Sequence, residues 1–317
     1  MYYQNLSGTR NSAKAGEHRP LLLARSLVAL TTVTEGRSEY TSMLAKLRNL
    51  TKCFLIAILT VSTCRIALAE VSGQSFDKKF SISAGAFVTV HDTNIRLDTD
   101  AGPGTVVNLE DDLGLDATTN IFRADAAWRF ADRHKAHFGI FDLSQTGSRT
   151  LDKELIIDGD TFSVNESVLT DWKMQLIEFG YSYRIRDNER TQWWLDVAFF
   201  IQDTAITVTE TAAGGDVATE DVVLPLPKFG ASVDHAFSER WIGRAGIAVF
   251  KLEVGDVGGS LIDLRATLDY RFTDNFSIGA GWHWINVTVD LDRSVSGWQG
   301  RFDWDTRGLM LYGRLVW

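Results

Sequence analysis

The sequence predicts an all-β fold: a closed, antiparallel, up-and-down barrel that crosses a membrane on its strands, ten in number, with eight as the alternative count. Three observations carry this reading. From Phe80 to Trp317 apolar and polar residues alternate with period two, the mark of a strand with two unlike faces. The alternating segments run to roughly 15 to 20 residues, where strands in globular proteins average about 5 or 6. The connections between them are short and long by turns, as in barrels with short turns on one membrane side and longer loops on the other.

Taken in order, the strands fall at about 79–97, 118–130, 134–149, 165–185, 190–210, 220–236, 240–254, 260–272, 275–291 and 300–317. In the eighth, Ile262, Leu264, Ala266, Leu268, Tyr270 and Phe272 share one face, with Asp263, Arg265, Thr267, Asp269 and Arg271 on the other. Phe122, Ala124, Ala126, Trp128 and Phe130 alternate likewise with Arg123, Asp125 and Arg129. Tight polar turns lie at 131–133, 186–189, 237–239 and 273–275. Longer loops lie at 98–116, 152–163, 211–221, 255–259 and 292–299. Aromatic residues crowd the short turns (Trp128 and Phe130, Tyr181 and Tyr183, Trp193 and Trp194, Phe237 and Trp241, Phe272 and Phe276). Amphipathic rings are most stable at a membrane–water boundary, so these form one girdle; Phe141, Trp172 and Trp282 or Trp284 are candidates for the other. Only 4 Pro occur in 317 residues, as expected of a chain whose backbone donors are mostly committed to ladders.

The region before Phe80 has a different character. Residues 43–69 read as a secretory signal: Lys46, Arg48 and Lys52, then the apolar run Cys53–Thr63, then Ala67-Leu68-Ala69 as the cleavage site. Residues 1–42 show no periodicity and read as a mis-assigned extension ahead of a true start at Met43, leaving 70–317 as the barrel. The longest apolar run, Cys53 to Val61, is too short for a membrane helix, which needs about 20 residues. Thr63 precedes Cys64 where a lipoprotein signal needs a small residue, which argues against lipidation. Both cysteines lie in the removed segment, excluding thiol catalysis and disulfides from the exported part. Residues 1–69 hold nine Lys or Arg and three Asp or Glu, leaving 23 basic and 38 acidic residues and a net charge of −15; such an acidic chain does not bind nucleic acid.

The final strand, Gly308-Leu-Met-Leu-Tyr-Gly-Arg-Leu-Val-Trp317, resembles the C-terminal signal read by barrel-assembly machinery. Trp317 stands where that pattern prefers Phe. With the signal segment and the cysteine-free strands, residues 70–317 resemble the small OmpA/OmpW-like barrels of the Gram-negative outer membrane. The resemblance implies outer-membrane localisation in the cell envelope, contact with lipid and lipopolysaccharide, and passage by periplasmic chaperones and the assembly machinery.

Chemistry is sparse. Interior-facing charges of both signs are expected at Arg123, Asp125, Arg129, Glu178, Arg184, Asp196, Arg244, Asp263, Arg265, Asp269 and Arg271. Mixed signs in a narrow lumen favour a filled scaffold over a selective pore. Glu110, Asp111, Asp112 and Asp116 in one loop form a candidate divalent-cation site, with Leu109, Leu113 and Leu115 expected to pack over the barrel mouth. Asp234-His235 has the composition of an omptin-like protease pair but sits beside the Phe237 turn, at the wrong end. His283 lacks the serine two residues on that lipid A deacylases have, since Ile285 stands there. His134 and His137 point to opposite faces and cannot share a metal. The sequence therefore predicts a non-enzymatic, surface-loop-presenting barrel without a cofactor; a small porin-like channel or transporter for ions or small solutes, hydrophobic ones included, is the first alternative, an embedded hydrolase the second.

Overall fold

The computed structural model describes residues 78–317 except 99–101, 158, 213–214, 216, 255–256 and 292–298. The expectations for 1–42 and for the signal at 43–69 lie outside the described residues. The described chain is all-β, without a helix. Ten long strands form the wall: β1 (Phe80–Leu97), β3 (Thr118–Ala131), β4 (His134–Thr150), β7 (Ser167–Asp187), β8 (Thr191–Glu210), β9 (Val217–Ala236), β10 (Trp241–Val254), β11 (Val257–Arg271), β12 (Phe276–Leu291) and β13 (Gly300–Val316). Each pairs antiparallel with the next, and β13 closes on β1 from Ser81↔Val316 to Leu97↔Gly300. Ten is therefore the strand number, and eight is set aside. Closure matters because an open edge in hydrocarbon leaves backbone groups unpaired at several kcal/mol each.

Two long loops hold structure that alternation alone does not reveal. β2 (Val107–Asn108) folds back on β1, and a small hairpin of β5 (Leu155–Ile157) and β6 (Asp160–Phe162) rises between β4 and β7. The two meet where the Thr105 N–H donates to the Ile156 carbonyl at 3.2 Å. Gly114 makes the sharp turn in the first loop with φ +74°; a Cβ there would lie 2.8 Å from the Ser148 carbonyl.

The strands keep one pleat but change which face is apolar. In β12, Ile278 and Trp282 face outward and are exposed, with Ser277 and His283 buried inside. Beyond Trp284 the parity inverts: Ile285, Val287 and Val289 are buried, while Asn286, Thr288 and Asp290 lie on the outer face. β13 does the same, with Leu309, Leu311 and Trp317 exposed near the short turns and Phe302 and Trp304 buried near the loops. So does β8, where Trp193, Leu195, Val197 and Phe199 are exposed and Ile206 and Val208 buried. On β1 the exposed apolar stretch runs from Phe80 to Val90. At about 3.3 Å per residue and a tilt near 40°, it spans about 25 Å, the height of an outer-membrane apolar band.

Rings line the short-turn rim of that band. Phe80 stacks on Trp128 and Trp317 at 5.9 and 5.7 Å, and Tyr270 packs edge-on against Trp241 and Phe272, each at 4.9 Å. Trp282 is exposed at the other rim, but Trp172 and Phe141 are not. They point inward, because both lie above the inversion, where the apolar parity faces the lumen.

One seam interrupts the wall. β9 pairs with β8 as far as Val217, but with β10 only from Ala236 to Phe229. Pro225 and Pro227 lie just beyond the last rung; lacking N–H groups, they are compatible only with a strand edge.

Candidate functional site

The interior has three storeys. The uppermost is an apolar core of Phe87, Phe141, Trp172, Phe200, Phe302 and Trp304, continuous with Leu109, Leu113, Leu115, Leu155 and Phe162 from the loops. The three loop leucines pack into the mouth as their spacing predicts. Glu110 is drawn in with them, its carboxylate accepting hydrogen bonds from the Thr93 N–H and hydroxyl at 2.8 and 2.9 Å. Asp112 instead accepts from the Asn108 N–H and pairs with Lys153 at 2.8 Å. Among the described residues no three carboxylate or imidazole groups stand close enough to share a metal ion. Glu110 and Asp112 are thus divided between separate donors.

Below the core lies a buried ionic layer crossing the barrel from wall to wall. Lys228 on β9 pairs with Glu178 on β7 at 3.0 Å and Asp263 on β11 at 2.6 Å, all three nearly inaccessible. Arg123 pairs with Asp125 at 2.8 Å, and Arg265 reaches the same carboxylate at 3.3 Å. His283 joins the halves. Arg123 can only donate, so Nδ1 of His283 accepts at 3.1 Å and its Nε2–H donates to Asp263 at 2.8 Å. His137 completes the layer against Glu178 at 3.2 Å. Gly180 makes room for it: a Cβ there would lie 1.9 Å from the His137 ring. The ionic layer meets the core through aromatic faces, Phe87 stacking on His283 at 5.6 Å and Phe200 lying under the Lys228 ammonium at 5.3 Å.

The lowest storey, nearest the short turns, is looser. Asp269 pairs with both Arg244 and Arg314, and Asp196 accepts from the Ser232 hydroxyl at 2.7 Å. A cavity of about 220 Å³ lies between this layer and the ionic layer. A second, of about 150 Å³, lies at the short-turn mouth.

Eight of the interior charges read from the sequence thus meet in these two layers. Arg184 and Arg271 instead clamp short turns, Arg184 to Asp187 at 2.9 Å and Arg271 to Asp274 at 3.4 Å and the Glu239 carbonyl at 3.0 Å. Arg129 lies at the mouth. The sequence reading missed Lys228, Lys135 and Arg314. Lys228 was hidden because Pro225 and Pro227 blur the alternation around it, yet it shares the inward parity of Leu224 and Leu226. His235 lies at the short-turn end bonded to Thr191 at 2.8 Å, and His134 to Tyr181 at 2.6 Å.

No protein-family model matches the sequence, and no curated protein is similar to it. Among solved structures the chain is similar to the outer membrane protease OmpT from Escherichia coli, at 7% identity over 78% of this chain and all of that one, TM-score 0.48. It is also similar to Ail, the attachment invasion locus protein of Yersinia pestis, at 10% identity over 76% and 99%, TM-score 0.32. The P. putida toluene transporter TodX matches at 9% identity over 79% and 94%, TM-score 0.33. These matches are barrels of the outer membrane; they supply no residue correspondence.

Proposed function

We propose that the protein is an integral barrel of the bacterial outer membrane, exported with cleavage near Ala69, whose closed lumen makes it a non-enzymatic scaffold for its outer loops. The observation that carries this reading is the uninterrupted packing from the Lys228 ionic layer through the Trp172–Trp304 core to Leu113 in the loops. An ion entering from either side would have to break buried ion pairs and then displace close-packed aromatic side chains, which interiors resist. The exposed apolar belt fits acyl chains and the polar zone above it fits lipopolysaccharide. β13 with Trp317 fits the assembly machinery, to which periplasmic chaperones would deliver the chain.

Planar-bilayer recording of the barrel, extracted folded in non-ionic detergent, tests the closed lumen. No steady conductance is expected. Stable single-channel steps would overturn the scaffold reading in favour of a small channel, which the cavity beneath the ionic layer alone favours; altered flux in Arg265→Ala or Asp269→Asn would then locate the path. Grafting loops 98–116 and 152–163 onto an unrelated barrel tests presentation: transferred cell-surface binding supports it, and binding that stays with the original wall contradicts it.

A further inference from the structure

We propose that the short-turn end of the lumen is a phosphate-binding vestibule. The two cavities there are adjacent, both lined by Ser81, Ala127, Lys135, Asp234, Arg244 and Arg314. The outer cavity is lined by six cationic side chains, Lys78, Lys79, Arg129, Lys135, Arg244 and Arg314, against Asp234 on its wall, with Asp269 behind it and Asp196 lining the inner cavity. This reverses the sign of a strongly acidic chain.

One group in the wall points to an anionic occupant. Among the described residues, the Lys135 ammonium has no carboxylate within ion-pairing distance; it sits 4.0 Å from the centre of the Trp194 ring. Trp194 is only 2% exposed, and its Nε1–H, a donor with no acceptor role, has no hydrogen-bond partner. Buried donors are normally satisfied. The ammonium lies over the ring face, whereas the N–H lies in the ring plane and is itself inaccessible, so Lys135 is the donor offered to an anion in the cavity.

The arrangement favours phosphate over carboxylate. Lys135 stands on β4, Arg314 on β13 and Lys79 just ahead of β1, so donors converge from several sides. A phosphate offers three or four oxygens to such a ring of donors, and guanidinium forks suit it. The phosphate belongs either to a small phosphate ester in solution or to a phospholipid headgroup. That the mouth opens on the periplasm rests on the membrane reading above; binding itself does not.

The test uses the protein exported to the outer membrane, extracted in a non-ionic detergent and labelled with ¹⁵N in its indole groups. Inorganic phosphate should shift the Trp194 resonance saturably, the resonance being assigned by its loss in Trp194→Phe. Lys135→Gln should weaken binding at least tenfold. Lys79→Gln, on the exposed rim, should weaken it severalfold, which keeps the test alive if the Lys135 variant does not fold. Competition by short-chain phosphatidylglycerol would assign the headgroup as the source; absence of competition would assign the free ester. No Trp194 shift with phosphate, or a shift undiminished in both variants, would overturn the proposal.

Discussion

The two halves of this barrel are built from the same ten strands with opposite chemistry. Towards the short turns the outside is apolar and the inside charged; towards the loops the outside is polar and the inside a hydrophobic core. Strands β12 and β13 do so without a slip of register, their ladder running unbroken from Phe276↔Leu315 to Leu291↔Gly300. The register shifts at Arg129/Ala131 and Arg184/Arg186 lie beside the short turns. What changes is which parity of residue is apolar. The comparison teaches that the surroundings, not the backbone, decide the meaning of alternation. Where lipid lies outside, apolar side chains face out and polar ones must pair within. Where water lies outside, the same ladder folds like a soluble protein.

The largest expected effects break one half while leaving the other intact. Trp304→Ala removes a fully buried ring from the upper core and should cost about 3–5 kcal/mol, read as a lowered denaturant midpoint in detergent. In the lower half, Lys228→Met strands Glu178 and Asp263 without their cation and should cost about 3–5 kcal/mol. Adding Glu178→Gln and Asp263→Asn should recover most of that loss, whereas a cost arising only from lost packing would persist.

The outer surface sharpens the contrast. Leu311→Arg places a charge in the apolar belt and should cost about 2–4 kcal/mol. Thr207→Arg, outward on β8 above the inversion, should stay within about 0.5 kcal/mol. Equal costs at the two positions, measured by urea-induced unfolding in lipid vesicles, would remove the boundary between the halves.

A smaller effect concerns the cap. Burial pushes the Glu110 carboxyl up from its ordinary range, more than the hydrogen bonds from Thr93 pull it down. Its folded value therefore lies above its unfolded one. The cap is held best where Glu110 is protonated and loosens as pH rises through the folded value. Stability should be higher at about pH 5 than at about pH 8, and Glu110→Gln should flatten that difference in paired denaturant titrations.

Much of this was legible in the sequence. The ten strands, the tight turns and the inward parity of Arg123, Asp125, Asp263, Arg265 and Asp269 follow from period two alone. The inversion was also written there, in adjacent apolar pairs such as Trp284-Ile285, but a reading that assumes one apolar face per strand sends Trp172 and Phe141 to the membrane instead of the core. The partners in the ionic layer were not legible. That Arg123 meets His283, 160 residues later, depends on closure and on the stagger of the strands, which no local pattern encodes. The phosphate vestibule is legible only once closure brings the ends of β1, β3, β4, β8 and β13 to one rim.

The most direct test of the inversion is a spin-label scan of the outward positions of β12, with single cysteines at 278, 280, 282, 284, 286, 288 and 290 in reconstituted bilayers. Labels from 278 to 284 should collide preferentially with oxygen, which partitions into lipid, and those from 286 to 290 with a water-soluble relaxant. Equal access of the water-soluble relaxant to all seven positions would contradict the account and make the barrel a soluble one.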